Sequence, residues 1–198
     1  MNSSRKGLRA AVLGVTVGGG LLSGLVACVP EPQQPLFYES MARPDAVVDQ
    51  ATAAQMISQY RANEGAGAIR PDRDLFKIAL QQSEAMARGG SVKASLAKDM
   101  RLAKRMASIG EPETYAVENV SGGYRTLAEA FSGWRDSPKH KAVMLDPKAQ
   151  RFGLATAYSP GAKHRVFWTL VMAGPKGPVA AQASDVTERA GPAPKPGS

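Results

Sequence analysis

Arg151-Phe152-Gly153-Leu154-Ala155-Thr156-Ala157-Tyr158 is followed by Ser159-Pro160-Gly161 and then by Val166-Phe167-Trp168-Thr169-Leu170-Val171-Met172. In the first run Phe152, Leu154, Thr156 and Tyr158 alternate with Gly153, Ala155 and Ala157, the period of two that belongs to a strand. The second run is almost continuously apolar, as in a strand covered on both faces. Two such runs about a short polar turn predict a hairpin. Upstream the period is helical. Val47, Ala51, Ala54, Ile57 and Tyr60 recur at three to four over Ala46–Asn63, with Gly65 as a stop. Asp72 or Asp74 can cap a second helix through Leu75, Ile78, Ala79, Gln82 and Met86, ended by Gly89-Gly90. A third helix is expected from Ser91, carrying Leu96, Leu102, Met106 and Ile109, to Gly110. Thr126-Leu127-Ala128-Glu129 is a capping box, and Leu127, Phe131 and Trp134 share a face of the helix it opens. A short turn of helix after Ser137-Pro138 reaches Leu145. Helices followed by a hairpin predict an α+β domain with helices packed on a small antiparallel sheet.

Composition limits what surrounds that domain. The chain has 198 residues, 25 Lys plus Arg against 17 Asp plus Glu, a formal charge of +8, and 43% hydrophobic residues. These values suit one globular domain with extensions and exclude a wholly disordered or coiled-coil chain. Cys28 is the single cysteine, so neither an intramolecular disulfide nor a Cys-rich metal site can form. Arg5, Lys6 and Arg9 precede an uncharged apolar run from Ala10 to Ala27. A basic start, an apolar middle and small residues before a cut are the layout of a secretory signal peptide, read here as residues 1–27. Leu25-Val26-Ala27-Cys28 resembles the lipobox of bacterial lipoproteins. That resemblance implies acylation of Cys28 (diacylglycerol and palmitate-like chains), and two or more chains anchor a protein stably. Val29 favours the outer membrane by the same resemblance. The other readings are a buried or free thiol at Cys28, or an uncleaved helix that spans the membrane. Residues 28–45, with Pro30, Pro32 and Pro35, read as lipidated cysteine plus tether, residues 46–174 as the domain, and residues 175–198 as a disordered tail rich in Pro, Ala and Gly.

Glu118-Asn119-Val120, Ala130-Phe131-Ser132-Gly133-Trp134 and Ser137-Pro138-Lys139-His140 stand in order before Arg151–Ala155 and Phe167-Trp168-Thr169. Ile57–Arg61, Gly65 and Asp72 precede them. The ordered set resembles the bacterial branch of the CAP superfamily, which unites cysteine-rich secretory, antigen 5 and pathogenesis-related (SCP-like) domains. The resemblance implies an α-β-α sandwich with a cleft lined by two histidines and two acids, a set that in some members holds a divalent metal. Glu118 matches one acid and His140 one histidine; Asp136 is the nearest match to the second acid. No histidine precedes His140, so the other histidine of that set is missing. Two or three side chains fall short of a zinc site, so no cofactor is expected beyond a possible divalent ion at Glu118 and His140.

The expected binding cleft therefore comprises Glu118, Asn119, His140, Asp136 and Tyr124. His140 is otherwise a helix-start histidine bonded to backbone, and Glu118 a capping acceptor. Glu129 belongs to the capping box, His164 to a solvated strand start, and Trp134 and Trp168 to the core. No catalytic residue is assigned. The leading reading is an envelope lipoprotein whose domain binds a ligand or partner. Two alternatives stay open: a peptidase or envelope-polymer hydrolase with His140 as base and Glu118 as partner, and a carrier of lipid. Ser121 and Ser137 lie in no recognised nucleophile context. Lys93, Lys98, Arg101, Lys104 and Arg105 read as one solvated helix face. Export leaves no role for nucleic acid and makes membrane, envelope polymer or protein the expected partners.

Overall fold

Asp72 opens helix α2 (Arg73–Arg88): its carboxylate accepts hydrogen bonds from the amides of Asp74 at 2.9 Å and Leu75 at 3.1 Å. These are two of the donors that any helix start leaves without a partner. The helix buries Leu75, Ile78, Ala79, Gln82, Ser83 and Met86 and stops at Gly89-Gly90, where Gly90 takes φ 62°. The structure is a computed structural model describing residues 34–177.

Helix α1 (Gln50–Asn63) is shorter than its apolar period suggests, because Asp49 caps it by accepting from Thr52 N. It buries Ala53, Ile57 and Arg61, while Val47 stays 65% exposed. Arg61 reaches the core by donating to the carbonyls of Gly67, Met144, Asp146 and Ala149, so a charge holds a position that hydrophobic periodicity assigns elsewhere. The single third helix does not form. Two 3-10 turns, Val92–Leu96 and Lys98–Met100, lead into a short α3 (Leu102–Ser108), with Ala97 and Arg101 extended between them. Leu96 is 78% exposed, so this polar stretch buries no continuous apolar face to sustain a longer helix. Helices α4 (Leu127–Arg135) and α5 (Pro138–Met144) follow their expected starts, with Thr126 Oγ1 accepting from Glu129 N.

Four strands form one sheet: β1 (Arg70–Pro71), β2 (Ala116–Gly122), β3 (Arg151–Tyr158) and β4 (Val166–Ala173). Their order is β1-β3-β4-β2. The hairpin β3–β4 is antiparallel from Arg151↔Ala173 to Tyr158↔Val166. Strand β2 lies antiparallel on β4 from Ala116↔Ala173 to Gly122↔Phe167, and the two-residue β1 runs parallel to β3. One face (Ala155, Val171, Ala173) packs on Leu75, Ile78 and Ala79 of α2 and Met106 of α3. The other face (Phe152, Leu154, Trp168, Leu170, Met172) packs on α1, α4 and α5 through Ile57, Leu127, Ala130, Trp134 and Met144. Helices thus cover both faces of a small sheet, the expected α-β-α sandwich.

The segment expected to be a free tether is docked from Gln34 on. A 3-10 turn at Leu36–Tyr38 precedes Met41, which is buried and donates its amide to Arg125 O at 2.7 Å. The expected signal peptide, Cys28, the first part of the expected tether and residues 178–198 of the expected tail lie outside the described residues.

Candidate functional site

Strand β2 carries Glu118 and Asn119 side by side, and a strand sends neighbouring side chains to opposite faces. The hydrogen bonds Gly123 N to Val166 O and Gly174 N to Tyr115 O place the odd-numbered residues of β2 in bonded pairs with β4. Glu118 stands opposite Val171, whose side chain packs in the α2–α3 layer, so Glu118 points toward that layer as well. There Arg105 Nη2 donates to Glu118 Oε2 at 2.5 Å, Arg105 Nη1 to Ile78 O at 3.0 Å, and Arg105 Nε to Met100 O at 2.9 Å. Arg105 is 3% and Glu118 22% exposed, so this is an ion pair set largely under the surface. Arg105 thus leaves the solvated face on which its sequence neighbours suggested it would lie.

Asn119 points the other way and is buried; its Nδ2 donates to His140 O at 2.9 Å, tying the start of α5 to the sheet. Two residues on, Ser121 Oγ accepts from Trp134 Nε1 at 3.2 Å, and Trp134 meets Trp168 edge to face at 6.3 Å. Trp168 Nε1 donates to Tyr124 O at 2.8 Å. Both tryptophans are fully buried core residues. The Tyr124 ring lies on Gly133: a Cβ there would stand 1.9 Å from Tyr124 Oη. Asp136 is exposed at the end of α4, its carboxyl held below the ordinary range by the hydrogen bond from adjacent Arg135.

His140 is half-buried, one helical turn before the buried Met144. Burial pushes its pKa below the ordinary histidine value, and no carboxylate bonds to it among the described residues. An unfolded chain would take up this proton first. The stability that the neutral imidazole carries is present above pH ~6.5 and is lost as pH falls from there toward the folded value. His140→Gln should flatten the decline of unfolding free energy between pH 7.5 and 5 in denaturant titrations, and an unchanged slope would remove His140 as its source.

The five expected cleft residues thus divide. Asn119, His140, Tyr124 and Asp136 belong to the α4–α5 side of β2, and Glu118 to the α2–α3 side. Asn119 holds the backbone carbonyl of His140 on one side of β2, and on the other the Glu118 carboxylate accepts from Arg105. Among the described residues no three His, Cys, Asp or Glu side chains group as metal ligands. Two features escaped the sequence reading. Arg105 looked like one more surface cation, since nothing local marks a partner 13 residues away. His164 is not simply solvated: a Cβ on Gly122 would come within 3.0 Å of His164 Cβ and 3.2 Å of Val92 Cγ2. A separate open recess of about 510 Å³ lies between the Arg43–Val47 segment and β3, lined by Leu80, Thr156 and Tyr158.

A search of curated proteins finds no match. Among solved structures, an outer surface protein of Borrelia burgdorferi superposes with a TM-score of 0.56 at 14% identity, covering 66% of this chain and 98% of that one. An extracellular protein of Bacillus anthracis containing an SCP domain superposes with a TM-score of 0.54 at 16% identity, covering 64% of this chain but only 40% of its own. At such identities the likeness is one of fold. The sequence itself matches the cysteine-rich secretory protein family over residues 54–172. That span takes in both helical layers, the Glu118-Asn119 strand and nearly all of the hairpin, and the chain belongs to the CAP family.

Proposed function

We propose that the chain is an envelope-anchored lipoprotein whose CAP domain captures a ligand or partner without chemically transforming it. The observation that carries this reading is the Glu118–Arg105 pair. A general-base histidine works with an orienting acid within hydrogen-bond reach; here the Glu118 carboxylate is already bonded to the buried Arg105 guanidinium, and no carboxylate bonds to His140 among the described residues. Anchoring follows from the basic, apolar and small-residue order of residues 1–27 and from Cys28.

A hydrolase is the second reading, favoured by one feature: burial keeps the His140 imidazole neutral near pH 7, as a base must be. One set of proteins separates the two. Wild type and His140→Ala are compared for turnover of a peptide and peptidoglycan panel. We expect no turnover by either. Cleavage by wild type that His140→Ala abolishes would establish the hydrolase; cleavage that survives in His140→Ala would overturn both readings. Anchoring is tested separately: Cys28→Ser should move the protein from the membrane to the soluble envelope fraction, and unchanged retention would contradict acylation there.

A further inference from the structure

Some surface cations of this domain stand beside acids and others do not. Arg43, Lys77, Arg88, Arg135, Lys141 and Lys176 each lie within 4.0 Å of a carboxylate. Arg70, Arg73, Arg125, Lys139 and Lys148 are exposed without such a partner but lie scattered along the chain, whereas the stretch from the end of α2 into α3 holds four together. Lys93, Lys98, Arg101 and Lys104 are all exposed, and none has a carboxylate within 4.0 Å among the described residues. Asp99 is the single acid in that stretch. The fold then adds charge from elsewhere in the chain. The β3–β4 turn, with Lys163 and Arg165, comes against the same segment: a Cβ on Gly90 would lie 3.9 Å from Ala162 Cβ, and Gly122 holds His164 against Val92. Lys163 has no acidic partner among the described residues, and Arg165 sits over the Tyr158 ring at 5.4 Å and donates to Tyr158 Oη. Leu96, 78% exposed, lies between Lys93 and Lys98 in the chain.

Like charges gathered and left without counter-ions repel one another, and a polyanion relieves that repulsion while releasing its own counter-ions. The cations are mostly lysines, hydrated point charges on flexible stems, spread along two exposed turns and a hairpin tip. Such a surface meets repeated charge on a long molecule and does not grip one small anion. It also lies in the α2–α3 layer, whereas the chain enters the domain at Gln34 through a turn packed on α4 and α1.

We propose that the surface formed by Lys93, Lys98, Arg101, Lys104, Lys163 and Arg165 is a docking site for a linear polyanion. This deepens the capture reading by naming the partner's chemistry, and its assay is independent of the turnover and fractionation tests.

The probe is long-chain inorganic polyphosphate, titrated against the full-length chain in mild detergent at several salt concentrations. Pyrophosphate and phosphatidylglycerol vesicles run alongside. Wild type should bind polyphosphate with a steep inverse dependence on salt, and pyrophosphate far more weakly. Lys93→Gln, Lys98→Gln, Arg101→Gln and Lys104→Gln combined should lower affinity at about 50 mM salt by roughly 100-fold and flatten the log–log salt slope by about 3. Lys77→Gln with Arg88→Gln, equally exposed cations outside the patch, should bind as wild type. Lys163→Gln with Arg165→Gln should give an intermediate loss, and that pair decides the matter if circular dichroism shows the fourfold variant unfolded. Absence of polyphosphate binding, equal affinity for pyrophosphate, equal loss in the Lys77/Arg88 control, or binding to the vesicles alone would each overturn the proposal.

Discussion

Gly153→Ala should destabilise the domain by about 4 kcal/mol, a size reserved for changes that a structure cannot absorb. At this position β3 passes directly under the start of α2. A Cβ on Gly153 would lie 2.1 Å from Phe76 N and 2.2 Å from Leu75 C. Both obstacles are backbone, held by the Asp72 cap and by the buried Leu75 and Ile78, so α2 would have to retreat from the sheet as a unit. Gly133→Ala is the control. There the obstacle is the end of the Tyr124 side chain, which can swing away, and a loss of about 1–2 kcal/mol is expected. Urea titrations of both variants at constant m-value make the comparison. A Gly153→Ala protein within 1 kcal/mol of wild type would mean that the helix and strand are not in this contact.

Arg151→Met should have the next largest effect, a loss of about 3–5 kcal/mol. Arg151 is buried and donates to Asp72 Oδ2 at 2.8 Å, to Glu111 at 2.6 and 3.2 Å, and to Gly174 O at 2.9 Å. Removing it leaves two nearly buried carboxylates with only the half-exposed Lys176 beside them. The loss should come from unpaired charge more than from missing attraction, so adding Asp72→Asn and Glu111→Gln to Arg151→Met should recover most of it. Failure of that rescue would shift the explanation to packing. Acid gives a second readout. Burial alone would raise the Asp72 pKa, but hydrogen bonds from Arg151 and from the amides of Leu75 and Asp74 outweigh it and leave the carboxyl below its ordinary value. In wild type the stability tied to Asp72 is full above pH ~3.9 and falls as pH drops toward the folded value. In Arg151→Met the strongest of those stabilising partners is gone, so that acid-dependent loss should shrink.

Several elements were legible because each rests on signals within one stretch of chain. The β3–β4 hairpin follows from alternation, a Pro-Gly turn and an apolar run, and the second strand runs one residue further, to Ala173. Helices α2 and α4 follow from a cap and an apolar stripe on the same segment. The third helix failed because a cap-like Ser91 and spaced apolar residues do not hold a helix when Leu96 has nothing to pack on. In α1 a buried arginine replaced part of the apolar stripe, which no hydropathy period registers. Glu118, Asn119 and His140 could be picked out as a set from their motifs, yet their order along the chain carries no information about which side of the sheet each one serves.

That division marks where local information ends. Caps, periods and turn residues act over a few positions, so the residues alone determine helices α2, α4 and α5, the hairpin, the family, and the basic and apolar order of the first 27 residues. Side-chain partnership is settled by pairing between distant segments. The register of β2 on β4 sends Glu118 toward Arg105 and Asn119 toward the carbonyl of His140, and the packing of the β3–β4 turn on the segment after α2 gathers cations from two parts of the chain. Only the tertiary structure shows the acid bonded to a buried arginine on one face of the strand and the neighbouring asparagine bonded to the His140 carbonyl on the other. A shift of a single residue in that register would reverse both assignments without changing one local propensity.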